Sequence, residues 1–225
     1  MFIVIEGLDG AGKSTQVTEL IKWFEVEQGR SVKFLHFPRF DAPIYGELIA
    51  KFLRGELGEN DSVNPYLVAL LYAGDRAEAA PMIREWVESN QVVILDRYVL
   101  SNVAYQCAKL SDKESKATLK EWILDLEFVK NNIPKPDLNI FLSVPFDFTK
   151  SKLEENREGS DRDYLQGKKD IHEASLSFQE RVREVYMEHS DEKYFIVDCA
   201  TQHKMLPIEE ISKKIQKLVL QCQEL

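Results

Sequence analysis

A chain of 225 residues is long enough for one large α/β domain that buries about 70% of the surface its unfolded form exposes, so neither a metal nor a disulfide is needed to hold it. Its 29 Lys and Arg against 38 Asp and Glu leave a formal net charge of −9, which repels nucleic acid and anionic membranes, so neither is expected as a partner. Cys107, Cys199 and Cys222 match no zinc or redox spacing, no early stretch reads as a secretion signal and no apolar run approaches membrane-spanning length, which together predict a cytoplasmic protein.

Phe2-Ile3-Val4-Ile5 is an apolar run of the kind a buried parallel strand makes, and Val17, Leu20, Ile21 and Phe24 follow at helical spacing. Between them lies Gly7-Leu8-Asp9-Gly10-Ala11-Gly12-Lys13-Ser14, the G-x-x-x-x-G-K-[ST] pattern in the strand–loop–helix setting it requires. Glycines let the chain curl until several N–H groups converge on one anion, and the incoming helix adds the positive end of its dipole. The loop from Gly7 through Ser14 to Thr15 is therefore expected to hold a nucleoside triphosphate such as ATP. Lys13 supplies a point charge for the β- and γ-phosphates, and the Ser14 hydroxyl is a candidate Mg²⁺ ligand.

That first helix is expected to end near Gly29, a natural residue just past a C-cap. Further apolar runs at 32–37, Val92–Asp96, 138–144 and Tyr194–Asp198 are nearly continuous Val, Ile, Leu and Phe, the pattern of strands covered on both faces. A second helix is expected over Tyr45–Leu53. Asn64 as N-cap and Pro65 at the first helical position open another, running to about Ala79, with Pro81 starting a new helix or kinking the old one. Ile208, Ile211, Ile215, Leu218, Val219 and Cys222 form one stripe of a C-terminal helix. Strands alternating with helices predict an α/β fold, a doubly wound five-stranded parallel sheet with helices on both faces, as a single domain over residues 1–225. Two stretches interrupt the pattern. Residues 55–64 form a polar loop, and 154–170, dense in charge of both signs, read either as a solvated loop or as a lid over a phosphate site.

The strand ending in Asp96 is followed at once by Arg97 and Tyr98. A carboxylate closing a strand in this sheet can hold Mg²⁺ or its waters, and an arginine after it stands where open α/β sheets bind ligands. An ordinary strand-end salt bridge is the plainer alternative.

Taken together, Glu6 to Thr15, Phe37-Pro38-Arg39, Asp75-Arg76, Asp96-Arg97-Tyr98 with Ser101, Asn102 and Tyr105, Pro134-Lys135-Pro136-Asp137, and Asp170-Ile171-His172-Glu173 come in order and at sensible spacing across nearly the whole chain. In these the sequence resembles the thymidylate kinases, which phosphorylate dTMP to dTDP with ATP. The phosphate loop is widely shared, whereas the Asp96 to Tyr105 block joined to Asp75-Arg76 is far more specific. The resemblance implies a fold of the P-loop NTPase type with a short lid at 154–170, ATP and Mg²⁺ as cofactors, and a homodimer. It also implies roles. Lys13 and the loop amides hold ATP, while Ser14 and Asp96 hold Mg²⁺. Asp9 accepts from the dTMP 3′-hydroxyl. Arg97 bridges the dTMP phosphate and the transferring group, with Arg39 a second candidate for that phosphate. Arg76 donates to the thymine C4 carbonyl and Asn102 pairs with the thymine edge. Phe37 belongs to the same pocket, and Tyr72 either stacks near the base or is plain core. Tyr105 crowds the sugar 2′ position and so favours deoxyribose, unless it simply packs on the core. Some family members carry an arginine at the loop position occupied here by Gly10. Others supply it from the lid, so Arg157 or Arg162 is expected to close over ATP, with Lys168 and Lys169 as substitutes. His172 is read as packing near the substrate.

Phosphoryl transfer needs alignment and positive charge but no protein nucleophile, so the lack of a Ser-His-Asp or Cys-His constellation is no objection. The nearest alternative is another nucleoside monophosphate kinase or a deoxynucleoside kinase. An ATP-binding switch is disfavoured, because no glycine follows closely after Asp96. Leu67, Leu70, Leu71 and Trp122 are candidates for a dimer interface or for core packing.

Overall fold

Strands without a polar face must be covered on both sides, and the chain achieves this with one sheet between two helix layers. The computed structural model describes residues 1–154, 160–168, 170–173, 175–201 and 204–223. Strands β1 (Phe2–Glu6), β2 (Val32–His36), β3 (Val92–Asp96), β4 (Leu138–Ser143) and β5 (Tyr194–Asp198) form a five-stranded sheet in the order β2-β3-β1-β4-β5, and every pairing is parallel. The strand-end differences from expectation are one residue each in β2 and β4.

The helices are α1 (Lys13–Lys22), α2 (Tyr45–Leu53), α3 (Pro65–Glu88), α4 (Val99–Cys107), α5 (Lys113–Leu124), α6 (Phe146–Glu154), α7 (Leu176–Glu188) and α8 (Ile208–Gln223). A short antiparallel pair, β6 (Ala200–Thr201) and β7 (Lys204–Met205), precedes α8. Successive strand residues point to opposite faces. Ile3, Ile5, Ile94 and Ile140 accordingly pack with Val17 and Leu20 of α1 and Ile211, Ile215 and Val219 of α8. Phe2, Val4, Val93 and Leu95 pack on the other side with Ile83 of α3, Val103 of α4 and Ile123 of α5. The chain leaves β1 toward β2 on one side and later builds β4 and β5 on the other. The crevice that this reversal opens at the carboxyl ends of the strands lies beside β1, where the glycine-rich loop begins.

One helix boundary differs from expectation. α3 does not stop near Ala79 but continues through Pro81 to Glu88. Pro81 is exposed and its i−4 residue, Ala77, is only partly buried, so the carbonyl left without its N–H can turn to water. α1 passes into a π-helical turn, Trp23–Glu27, before the chain bends at Gly29 with φ of 61°. Within the charged stretch, Ser160–Leu165 form a 3₁₀ turn. Among the described residues no helix is long and apolar enough to cross a membrane.

α2 sits hard against the loop that follows β2. A Cβ on Gly46 would come within 2.5 Å of the Arg39 carbonyl oxygen and 2.7 Å of that of Phe40, both backbone atoms that cannot rotate away. Gly46→Ala should therefore destabilise by about 1–3 kcal/mol and lower the melting temperature by roughly 5 °C. An unchanged melting curve would show that this loop is free to shift.

Candidate active site

At the crevice the chain forms a cleft of about 1690 Å³, above the roughly 300–1,000 Å³ typical of a single-ligand pocket. One wall is the glycine-rich loop. Gly10 and Gly12 have φ of 80° and 82°, the left-handed region that a side chain disfavours. Gly12 caps α1 without any side-chain hydrogen bond, and the first turn of the helix carries no acid, so its N–H groups face the cleft uncompensated. The side chains of Asp9, Lys13, Ser14 and Thr15 line this end, together with the backbone of Gly10, Ala11 and Gly12. Gly7 and Leu8 do not line it. Leu8 is buried beside Tyr105, and its carbonyl accepts from Lys13 Nζ at 3.1 Å. Burial, then the Arg97 charge, lowers the Lys13 pKa.

Asp96 ends β3 in the same cleft. Its Oδ2 lies 3.3 Å from His36 Nδ1, and its buried Oδ1 has no protein partner. Burial would raise its pKa, but Lys13 and His36 outweigh that and hold the carboxyl below its usual range. Among the described residues no three acids or imidazoles cluster as a ready-made metal cage. One carboxylate and one hydroxyl, Asp96 and Ser14, suit an ion such as Mg²⁺ that keeps most of its waters. Beyond the loop the cleft turns apolar, where Phe148, Cys199, Met205, Leu206 and Ile211 line one slot. The sequence reading missed this slot, because its residues come from α6, the turn after β5, β7 and α8.

Across from the loop, Arg97 takes a left-handed backbone conformation, φ 67°, with its N–H donating to the Ile5 carbonyl at 2.9 Å. Its guanidinium donates to Asp9 Oδ1 at 2.6 Å, Ser101 Oγ at 3.1 Å and the Tyr105 hydroxyl at 3.3 Å. Tyr105 in turn donates to Asp9 Oδ2 at 2.9 Å. Burial pulls the Asp9 pKa upward, yet Arg97, Lys13 and Tyr105 hold it well below the usual carboxylate range. Asp9, Arg97 and Tyr105, from two separate stretches of sequence, therefore form one unit.

The far end is built from side chains. Arg76 donates Nε to Glu127 Oε2 at 2.6 Å and Nη2 to Oε1 at 2.5 Å, with both residues buried. Asn102 Nδ2 donates to the same Glu127 Oε1 at 2.9 Å and to the Ala69 carbonyl at 3.1 Å. Two acceptors on its nitrogen side fix the amide orientation and leave Oδ1 without a partner. Gln106, one turn on, is fully buried with neither amide atom paired, and it lines the cleft as well. Glu127, in a π-helical turn over Asp125–Lys130, and Gln106 were not picked out from the sequence. A Glu between apolar neighbours and a Gln on a helix give no local sign of burial. Tyr72 lines the cleft and also packs against the Phe52 cluster. Phe37 is buried beside the Arg76 guanidinium, 6.0 Å from ring centroid to Cζ. Arg39 lines the cleft, but its Nε is committed to Asp75 at 2.8 Å and its Nη2 to the Asp75 carbonyl at 2.9 Å.

The charged stretch contributes one edge. Tyr164 stacks on Phe40 with centroids 3.7 Å apart, and its carbonyl accepts from Arg54 at 2.6 Å. Lys168 pairs with Glu56 at 2.8 Å. Arg157 and Lys169 lie outside the described residues, and of Arg162 only the backbone, in the 3₁₀ turn, is described. His172 packs between Tyr105 and Phe52, and burial drives its pKa down to about 3, so the ring is neutral.

Asp170 accepts from the Tyr164 hydroxyl and the His172 N–H. Burial, reinforced by the like charges of Asp9 and Glu173, pushes its carboxyl from 3.8 up to about 7. Folding therefore favours the protonated form. That contribution is complete below pH 3.8 and disappears as pH rises through about 7. Asp170→Asn should gain melting temperature relative to the parent between pH 5 and pH 8, measured by thermal unfolding at both values. A pH-independent difference would contradict this.

Comparison with known proteins agrees with this geometry. The family described as Thymidylate kinase matches residues 5–215. Thymidylate kinase of Mycobacterium tuberculosis is 38% identical over 188 residues, covering 84% of this chain and 85% of its own. A probable thymidylate kinase of Thermococcus gammatolerans is 32% identical over 226 residues, covering 98% of this chain and 96% of its own. The solved thymidylate kinase of Candida albicans superposes with a TM-score of 0.70 at 26% identity, covering 98% of this chain and 91% of that one. A parallel sheet with this loop at its switch point, and matches that run nearly end to end, establish that the chain belongs to the thymidylate kinase family.

Proposed function

We propose that this chain transfers the γ-phosphoryl group of ATP to dTMP, giving ADP and dTDP, and so serves dTTP synthesis. The observation that carries the reading is the joining of Arg97 to Asp9 and Tyr105 within the cleft that holds the glycine-rich loop. A guanidinium there faces both a phosphate chain on the loop and a second phosphate entering from the opposite end.

The reaction proceeds through a loose transition state with charge on the equatorial oxygens, so the protein's work is alignment and charge. In this reading Lys13 and the N–H groups at the start of α1 bind the ATP phosphates, and the apolar slot at Phe148 and Met205 takes the adenine. Ser14 and Asp96 would hold Mg²⁺ with its waters, and the ion would supply positive charge beside the ATP phosphates. Arg97 holds the acceptor phosphate in line, while Asp9 takes the 3′-hydroxyl and Tyr105 closes the 2′ position. Arg76, Asn102 and Gln106 face the base edge with Phe37 and Tyr72 beside it. Arg39, tied to Asp75, then shapes the loop over the acceptor more than it donates to the phosphate. The segment 154–170 acts as a lid on a single domain, with Arg157 or Arg162 completing the charge around ATP. The enzyme works in the cytoplasm.

Exposed apolar side chains on α3 support a homodimer. Leu67 and Leu70 are 60% and 42% exposed on one helix, whereas Leu71 packs inward and Trp122 is held edge-on by Tyr66. The first two belong to the proposed interface and the last two support it from behind.

With ATP and Mg²⁺, ADP should form rapidly with dTMP and slowly with thymidine, dUMP, CMP or AMP. Equal turnover of CMP or AMP would reject the assignment. Arg97→Ala should lower kcat by about 10³-fold or more. Leu67→Glu combined with Leu70→Glu should halve the mass measured by analytical ultracentrifugation while the far-UV spectrum stays unchanged. A parent protein that sediments as a monomer, or a double variant that stays dimeric, removes this interface.

A further inference from the structure

Glu6 ends β1 fully buried, and no role in the reaction follows from its position just before the phosphate-loop motif. Four donors converge on it. Oε1 accepts from the N–H of Tyr98 at 2.9 Å and of Ser101 at 3.2 Å, while Oε2 accepts from Ser101 Oγ at 2.6 Å and the Tyr186 hydroxyl at 2.9 Å. Tyr98 is the N-cap of α4 and makes no side-chain cap, so the helix would otherwise begin with orphan N–H groups inside the protein. A capping box satisfies the N-cap and N3 N–H groups with two local side chains. Here one carboxylate from another strand satisfies both.

The same contacts reach Arg97. The residue after its left-handed backbone is held by Glu6 through the Tyr98 N–H, and the Ser101 oxygen that receives its Nη1 sends its own proton to Glu6. Ser101, Tyr186 and Glu6 Oε2 make three short contacts with only two hydroxyl protons to share. Donation from Arg97 into Ser101 selects the arrangement in which both hydroxyls can point at the carboxylate.

We propose that Glu6, acting through Ser101 and Tyr186, is a positioning residue that sets the direction of the Arg97 guanidinium toward the transferring phosphoryl group. The inference rests on the role given to Arg97 above. An amide at position 6 offers one acceptor where four donors converge, and Ser101 then loses the partner that orients it.

A double-mutant cycle on kcat tests this, with melting curves recorded for every variant. Glu6→Gln should lower kcat about tenfold, while the KM for ATP stays within about twofold, because the glycine-rich loop keeps its own contacts. In the Arg97→Ala background the same change should cost less than about twofold, since the group it directs is gone. Full multiplication of the two effects would mean that Glu6 supports the fold generally, and the proposal would fail while Arg97 kept its role. An Arg97→Ala enzyme with near-parental kcat would instead sink the reading of Arg97, and this inference with it. If Glu6→Gln does not fold, Tyr186→Phe, which keeps its ring stacked on Phe141, carries the same cycle with an expected loss of about threefold. A folded Tyr186→Phe enzyme with unchanged kcat overturns the proposal.

Discussion

Burying guanidinium groups in a domain of net charge −9 is the constraint from which most of the cleft follows. A desolvated cation persists only when its hydrogen-bonding edge is matched, and removing one partner of such a pair costs about 3–5 kcal/mol. Three arginines at the cleft each meet a carboxylate from a different element. Arg97 faces Asp9 of the loop, Arg76 faces Glu127 of the π-helical turn, and Arg39 faces Asp75 of α3. Paired groups on separate elements also fix directions, because a guanidinium fork against a carboxylate has little rotational freedom. The local positive field that phosphate chemistry needs is thus obtained without a basic surface.

The backbone carries part of the same arrangement. Arg97 holds a left-handed conformation that costs on the order of 1–3 kcal/mol and persists only when its surroundings over-determine it. Here its own N–H is held by the Ile5 carbonyl and the next N–H by the Glu6 carboxylate, both from β1. β1 therefore supplies the start of the glycine-rich loop, the anchor for Arg97 and the cap for α4. Asn102, Tyr105 and Gln106 ride on that helix, so the loop end and the far end of the cleft share one reference strand.

What could be read from the sequence divides along the distance between interacting residues. The five strands, the loop with Lys13, and the start of α3 at Asn64 and Pro65 were legible because their signals lie within a few consecutive residues. The partners of the arginines were not. Glu127 lies 51 residues from Arg76, Asp75 lies 36 from Arg39, and Glu6 lies 92 from Tyr98. Nothing in the neighbourhood of Glu127 marks it as a buried acid. Arg39 lay beside a recognisable motif, yet its position in the sequence could not show that Asp75 already occupies its Nε. The continuation of α3 past Pro81 was hidden for a related reason, since tolerance of the proline depends on which side of the helix faces water.

The two ends of the cleft are accordingly built by different means. The phosphate end is mainly backbone, with N–H groups and two left-handed glycines from consecutive residues, and it exists wherever β1 and α1 are packed together. The far end consists of side chains from α3, α4 and the turn after α5, joined through Glu127. Its orientation depends on all three elements being in place at once. The Asn102 carbonyl and both Gln106 amide atoms are left without protein partners there, and on the proposed function they would meet a ring edge that offers donors and acceptors together. A buried polar group rejects a ligand that leaves it unpaired far more strongly than an apolar wall rejects a misfit. On the proposed function, discrimination among bases would reside in the part of the molecule with the longest-range contacts, and substitutions at α3, α4 or the π-helical turn would act first on which nucleotide is accepted.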